Sequence, residues 1–307
     1  MIKVGIAIPQ TGVRALDTGR LHDYLARADA LGFDSLWVTE QMFGPGPRLD
    51  PLALLNFAAA VTTKPQLVAG IVLAALRSPV LLAKASATLD HLSRGRAVLG
   101  VGLGGDANVY PALGYAAEGR GARFEACVRL LRRLWKEPVV TEENDYWTIQ
   151  HQQLEPKPLQ PRLPLWFGGA NEKALARAAA LGDGWIGAGA APPQRFAQEL
   201  ALMQRSLAAI GRDRAGFTIA KRVYVAIDDD ERRALAQARD WFAVTYAGRD
   251  PAMADAVCLT GPASRCADGI LALAELGVDH VALGPVLDEH EQLERLGTEL
   301  LPLLRRA

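Results

Sequence analysis

The chain has 307 residues, 50% of them hydrophobic, which is enough for one large α/β domain or two smaller ones with ample core. Its 34 basic residues balance 34 acidic ones, which excludes a molecule built around a nucleic-acid or anionic-membrane surface. Cys127, Cys258 and Cys266 show no CxxC spacing and read as reduced thiols of a cytoplasmic protein; the opening MIKVGIAIPQ is too soon interrupted for a signal peptide, and no apolar run reaches membrane-span length.

Strand and helix signals then alternate. The stretch 2–8 is apolar and rich in β-branched residues, and 18–32 repeats its apolar positions at helical spacing before stopping at Gly32. A strand over 33–38 precedes a helix over 50–62, with Asp50 at the N-cap and Pro51 at the first helical position. The third strand, 66–74, leads to a helix over 78–95 with Ser78 as cap. The fourth, 96–102, runs into LGVGLGGDAN, where Gly100, Gly102 and Gly105 spell GxGxxG. A dinucleotide-binding turn needs a helix opening at its last glycine. Here Pro111, Gly114, Gly119 and Gly121 follow, so no helix is expected before Gly121 and the match is accidental. A helix over 123–135 and a Pro-rich insertion over 138–163 come next, the first half of the insertion reading as a small hairpin. Strands over 164–169 and 184–189 flank a helix over 171–183, and a helix over 193–211 precedes the strand 217–227. A longer helical region from 230, its successor and a helix over 262–277 lead to a last strand over 278–285 and a closing helix over 290–306.

Eight strand–helix units, with strands buried on both faces and no dividing linker, predict one TIM (β/α)8 barrel domain over 1–307. A doubly wound sheet is the alternative, because periodicity does not reveal closure. In a barrel the chemistry lies at the carboxyl ends of the strands. Those ends hold Glu40 and Asp106 as acids, while His22, His91, His151, His280 and His290 are scattered, so no metal site is expected. Lys221 falls too early in its strand for a Schiff base, and no GxSxG elbow is present. Glycine is abundant instead, and lets a flat ring or a phosphate approach the backbone. The stretch GGANEK sets two glycines before a helix whose free N–H groups suit a phosphate, although tight βα turns explain the same glycines. A cofactor that carries the reactivity itself accounts for the missing catalysts. Trp37 and Trp166 read as core; Tyr110 either lines a substrate cavity or covers its loop; 228–233 reads as a solvated helix start.

The segments FDSLWVTEQ, RSPVLLAKASATLDHLSRGRAVLGVGLGG, RGARFEACVRLLRRLW, EPKPLQPRLPLWFGGA and ALARAAALGDGW run in an order that resembles the luciferase-like superfamily of flavin- and deazaflavin-dependent oxidoreductases. The resemblance is strongest to the branch that uses coenzyme F420, with FMN as the alternative cofactor. It implies a cofactor ring over the barrel mouth, phosphates at the loops after strands four and five, and a bulge in strand three with a cis Gly70–Ile71 bond behind the ring. Carried over residue by residue, it implies Glu40 and Gln41 at the catalytic position, and a cofactor held by Glu40, Gly70, Ile71, Leu73, Leu103, Gly104, Asn108, Gly169, Ala170, Asn171 and Lys173. Two departures are notable. Sugar-phosphate dehydrogenases of the F420 branch place a histidine after the strand-two acid and a glutamate in the strand-four loop, where this chain has Gln41 and Gly105. Without that pair an alcohol oxidation lacks its proton acceptor. The expectation is therefore F420-dependent hydride transfer with a small organic molecule, an FMN-dependent monooxygenase as alternative, and a non-catalytic flavin-binding homologue as a third reading. The resemblance also implies a homodimer, and the charge balance, cysteine spacing and apolar pattern imply a cytoplasmic one without nucleic-acid or membrane partners.

Overall fold

In the computed structural model, which describes residues 1–11, 16–44 and 47–306, the short apolar stretches become parallel strands and the amphipathic stretches between them become helices. The first units are β1 (Lys3–Ala7) with α1 (Thr18–Leu31), β2 (Ser35–Val38) with α2 (Pro51–Val61), and β3 (Gln66–Val72) with α3 (Pro79–Leu92). β4 (Ala97–Val101) is followed by α4 (Val109–Ala112) and α5 (Arg120–Lys136). An antiparallel hairpin, β5 (Val140–Glu143) and β6 (Thr148–Gln152), interrupts the alternation, as the insertion predicts. It resumes with β7 (Leu165–Gly168), α6 (Glu172–Leu181), β8 (Gly184–Gly187) and α7 (Pro193–Ala209). Then come β9 (Thr218–Ile227), α8 (Glu231–Thr245), α9 (Ala254–Val257), β10 (Cys258–Gly261) and α10 (Ala263–Glu275). β11 (His280–Pro285), α11 (Glu289–Arg295) and α12 (Leu301–Arg306) end the chain.

The strands pair in the order β1–β2–β3–β4–β7–β8–β9–β11, and β11 pairs back with β1, so eight parallel strands close into the expected barrel. Trp37, Val68, Val98, Trp166, Ile186, Ala220 and Ala282 fill its lumen. Helices begin where a side chain meets the first free N–H groups. Asp50 accepts from Leu52 and Ala53 at 3.0 and 2.9 Å, and Asn171 accepts from Ala174 at 2.9 Å. α1 stops at Gly32, whose φ of 81° suits glycine. The insertion lies against α3: Gln160 N donates to the buried Asp90 at 2.8 Å, and His91 Nε2 lies 2.8 Å from Lys157 O. No helix among the described residues is long and apolar enough to cross a membrane.

Four local features differ from the sequence expectation. The region after α8 holds β10, a four-residue strand that pairs only with the upper half of β9, from Tyr224 to Ile227. So short a run carries no periodic signal, and long-range pairing creates it. With α8 it encloses a small second core around Tyr224, Phe242, Cys258 and Val286. Second, α4 forms one helical turn despite Pro111, because the N–H that proline lacks is unpaired in a first turn anyway. Ser78 occupies the N-cap of α3 without a side-chain bond to it. Finally, the closing helix is interrupted by a π-turn over Leu296–Leu300, where Gly297 packs so closely that a Cβ would lie 2.6 Å from Leu31 Cδ1.

Candidate active site at the barrel mouth

The end of β2 delivers Glu40, whose side chain is only 2% exposed. Its carboxylate accepts from Leu73 N, from Arg77 Nε at 3.0 Å and from Arg77 Nη2, while Glu40 N donates to Ile71 O at 3.2 Å. Arg77 also reaches Asp50 Oδ2 at 2.7 Å. Burial works to lower the Arg77 pKa, but the bonds to Glu40 and then Asp50 outweigh it and the value is raised. Burial would raise the Asp50 carboxyl, yet the Ala53 N–H and Arg77 hold it below the usual carboxylate range. Glu40 is thus pinned under β3. Gln41 lies beside it on the exposed rim, its amide donating to Phe43 O at 2.9 Å.

β3 shifts register between Ala69 and Val72, and the Gly70–Ile71 peptide there is cis, at the bond the resemblance implies. The glycines of neighbouring strands make room for this bulge. A Cβ on Gly100 would lie 2.3 Å from Ala69 O, one on Gly102 would lie 2.3 Å from Ile71 Cδ1, and one on Gly168 would lie 3.0 Å from Ile71 Cγ2. Gly70 itself lies against the Trp37 ring, at 2.6 Å for an added Cβ. The first two glycines of GxGxxG therefore serve the packing beneath the mouth, while Gly105 has nothing within 4 Å.

Beyond β4, Gly104 takes φ 80° over Leu73, and Leu103 O accepts the Tyr110 hydroxyl at 2.6 Å, so Tyr110 is buried as a loop cover. Asn108 N donates to Asp106 Oδ1 at 2.8 Å. Beyond β7, Gly169 has φ 129° and accepts from Trp185 Nε1 at 2.7 Å, Ala170 is half-buried, Asn171 caps α6, and Lys173 is exposed in its first turn. Arg177 of α6 bonds Glu125 of α5 at 2.6 Å and joins the two helices.

At the start of α5 stand two cations that sequence reasoning missed. Arg123 is 9% exposed, its guanidinium lies 3.3 Å from the Tyr115 ring centroid, and its Nε has no hydrogen-bond partner among the described residues. Arg120 lies over the Tyr110 ring at 5.7 Å, and its Nη1 is likewise buried without a partner. Buried charged donors left unmatched are costly. Their position beside the β4 loop fits a phosphate-bearing cofactor, and the spacing RGAR at the helix start was the available signal. Lys221 points outward, between Ala188 O and Ala191 O and 4.8 Å from the Phe196 ring; burial pushes its pKa down to about 8 despite Glu199.

The amino ends of the strands are organised differently. His280 Nε2 lies 2.6 Å from Ser35 Oγ, which accepts from Trp37 Nε1 at 2.6 Å, between the Trp37 and Trp166 rings. Burial, with Lys3 adding to it, pushes the His280 pKa down to about 3, so the imidazole is neutral. A cavity of about 670 Å³ opens at this end, far from the strand termini that carry chemistry.

Residues 2–280 match the profile of the family described as luciferase-like monooxygenase. The chain belongs to that family. Among its relatives is the F420-dependent glucose-6-phosphate dehydrogenase of Kineococcus radiotolerans, 28% identical over 94% of this chain and 93% of that protein. A solved F420-dependent secondary alcohol dehydrogenase, in complex with an F420-acetone adduct, superposes with a TM-score of 0.87 at 22% identity, covering 99% of both chains. The FMN-bound oxygenating constituent of 3,6-diketocamphane monooxygenase from Pseudomonas putida superposes with a TM-score of 0.77 at 17% identity, covering 99% of both chains. These luciferase-like neighbours share the barrel, and their cofactors are of the flavin type.

Proposed function

We propose that this luciferase-like protein is an F420-dependent oxidoreductase, working as a cytoplasmic homodimer on a small unsaturated or carbonyl-type organic molecule at the barrel mouth. The unmatched buried nitrogens of Arg120 and Arg123 carry the cofactor part of this reading, because an anionic group there satisfies them. Similarity to an F420-dependent relative along nearly the whole chain supports the deazaflavin over FMN. When bound, F420 supplies hydride transfer. Within this reading Ile71, Leu73 and Leu103 back the ring, Gly70 and Gly104 allow its approach, and Asn108, Gly169, Ala170, Asn171 and Lys173 flank the phosphates with Arg120 and Arg123. Glu40 is a positioning residue: it holds Leu73 N and Arg77, and both its oxygens are engaged. Gln41 and Gly105 offer no proton acceptor, which favours reduction of the substrate with a proton from water over sugar-phosphate oxidation.

Titration of the purified protein with oxidised F420, reduced F420 and FMN, followed by fluorescence quenching and anisotropy, tests this. Saturable micromolar F420 binding without FMN binding is expected. Preference for FMN would turn the assignment to a monooxygenase, and tight retention of either cofactor without turnover would make the protein a flavin-binding homologue.

A further inference from the structure

The inner face of β9 rises from Ala220 in the lumen to Arg222 and Tyr224, since alternate strand residues share a face. β11 runs alongside, with Ala282 opposite Arg222 and Gly284 opposite Tyr224. Both side chains lie over Gly284: a Cβ there would make ordinary contact, 3.6 Å from Arg222 Nε and 3.6 Å from Tyr224 Cδ1. On the other side is Gly189, whose Cβ would lie 2.8 Å from Tyr224 Cε2 and 3.3 Å from Arg222 Cγ. The Arg222 guanidinium lies 5.0 Å from the Tyr224 ring centroid, and the Tyr224 hydroxyl bonds that of Tyr246.

A second guanidinium arrives from the loop before α2. Arg48 Nη1 donates to Thr39 Oγ1 at 3.0 Å, at the end of β2. Burial is the main cause that lowers the Arg48 pKa, and the Arg222 charge adds to it against the opposite effect of Tyr224 and Tyr246. By their strands, both cations belong to the carboxyl-end rim. Arg77, a third cation of this rim, has two carboxylates. Neither Arg48 nor Arg222 has one among the described residues. Two like charges at one half-buried mouth repel, and a bound anion reverses that effect.

We propose that Arg222, with Arg48 beside it, seats an oxyanion of the substrate, a carboxylate or a phosphate monoester, so that this enzyme acts on anionic small molecules. The planar fork of Arg222 meets two oxygens at once, Gly189 lets the Arg222 stem and the Tyr224 ring lie close against the neighbouring strand, and the tyrosines wall the group from the side. This rests on the oxidoreductase reading for what happens next, but the anion seat itself is independent of the cofactor.

The test is calorimetric titration of the protein, with and without oxidised F420, using succinate, inorganic phosphate and the neutral succinamide as probes. Saturable binding of succinate or phosphate and none of succinamide is expected, and the tighter of the two names the anion. Arg222→Gln should weaken it about tenfold or more, Arg48→Gln by less, and Arg222→Lys should fall between wild type and Arg222→Gln. Arg27→Gln, at an exposed pair with Glu294 on α1, should leave succinate affinity unchanged. Unchanged affinity in both Arg222→Gln and Arg48→Gln, loss confined to Arg123→Gln at the phosphate end of the cofactor, or no saturable anion binding in either state would overturn the proposal. Cofactor titration of the same variants separates the two readings: failure of wild type to bind any cofactor would sink the F420 assignment and leave the anion result standing.

Discussion

At the amino ends of the strands, His280, Ser35 and Trp37 satisfy one another inside an aromatic box, whereas at the carboxyl ends Arg120 and Arg123 present buried nitrogens with no hydrogen-bond partner among the described residues. Both ends bury polar side chains, so burial alone does not separate structure from function. Satisfaction does. A closed network fixes a fold, and an open one of a single charge leaves room for a ligand of the opposite charge. The Glu40–Arg77–Asp50 group lies at the functional end but belongs with the first kind, being closed on itself.

The largest effect should come from opening that closed group. Glu40→Ala leaves Arg77 with only Asp50 and removes the acceptor for Leu73 N, and should lower stability by about 3 kcal/mol in urea unfolding while abolishing cofactor binding. A variant that unfolds like wild type would place Glu40 outside the scaffold. Next, Gly100→Ala drives a methyl to 2.3 Å from the Ala69 carbonyl oxygen and should cost about 2 kcal/mol, whereas Gly105→Ala, with open space around it, should change the melting temperature little. Equal effects at the two positions would contradict the packing account of the GxGxxG stretch.

At the other end, His280 carries the pH dependence. Its pKa of about 3 in the fold lies below the ordinary histidine value, so the unfolded chain takes up the proton first as pH falls. The contribution is complete above the unfolded pKa and is lost as pH drops from there toward 3, at up to about 1.4 kcal/mol per pH unit. Urea melts of wild type and His280→Asn at pH 7 and pH 5 should show the steeper loss in wild type. The smallest change in stability belongs to the open cations: Arg123→Met should melt within a degree or two of wild type, or above it, yet bind the cofactor about tenfold more weakly. Strong destabilisation of the cofactor-free protein would make Arg123 a structural residue.

Much of the barrel is legible because its signals are local. Asp50–Pro51 announces α2, Gly32 ends α1, and the apolar runs mark strands buried on both sides. β10 is not legible, since its four residues become a strand only against the upper half of β9. The π-turn depends on Leu31, far away in the chain. At the site, counting strand ends finds Glu40, Gly70, Ile71, Leu73, Leu103 and Gly104, but spacing does not say which way a side chain is tied. Glu40 reads only as an acid at a strand end until Leu73 N and Arg77 are seen to hold it. Arg120, Arg123 and Arg222 pass unremarked because a cation on a helix or strand usually reaches water; only packing shows them against aromatic rings, with no carboxylate partner among the described residues.

The small core that β10 and α8 enclose has a bearing on how such a protein changes. Tyr224 belongs to it and also faces the mouth, while the lumen is filled from a separate set of side chains. A new residue at Phe242 or Cys258 can move the tyrosine wall without hollowing the barrel, and effects in the two cores should combine with little interference. Descendants of this chain therefore have a region in which to explore new substrates, with the load-carrying cylinder left as inherited.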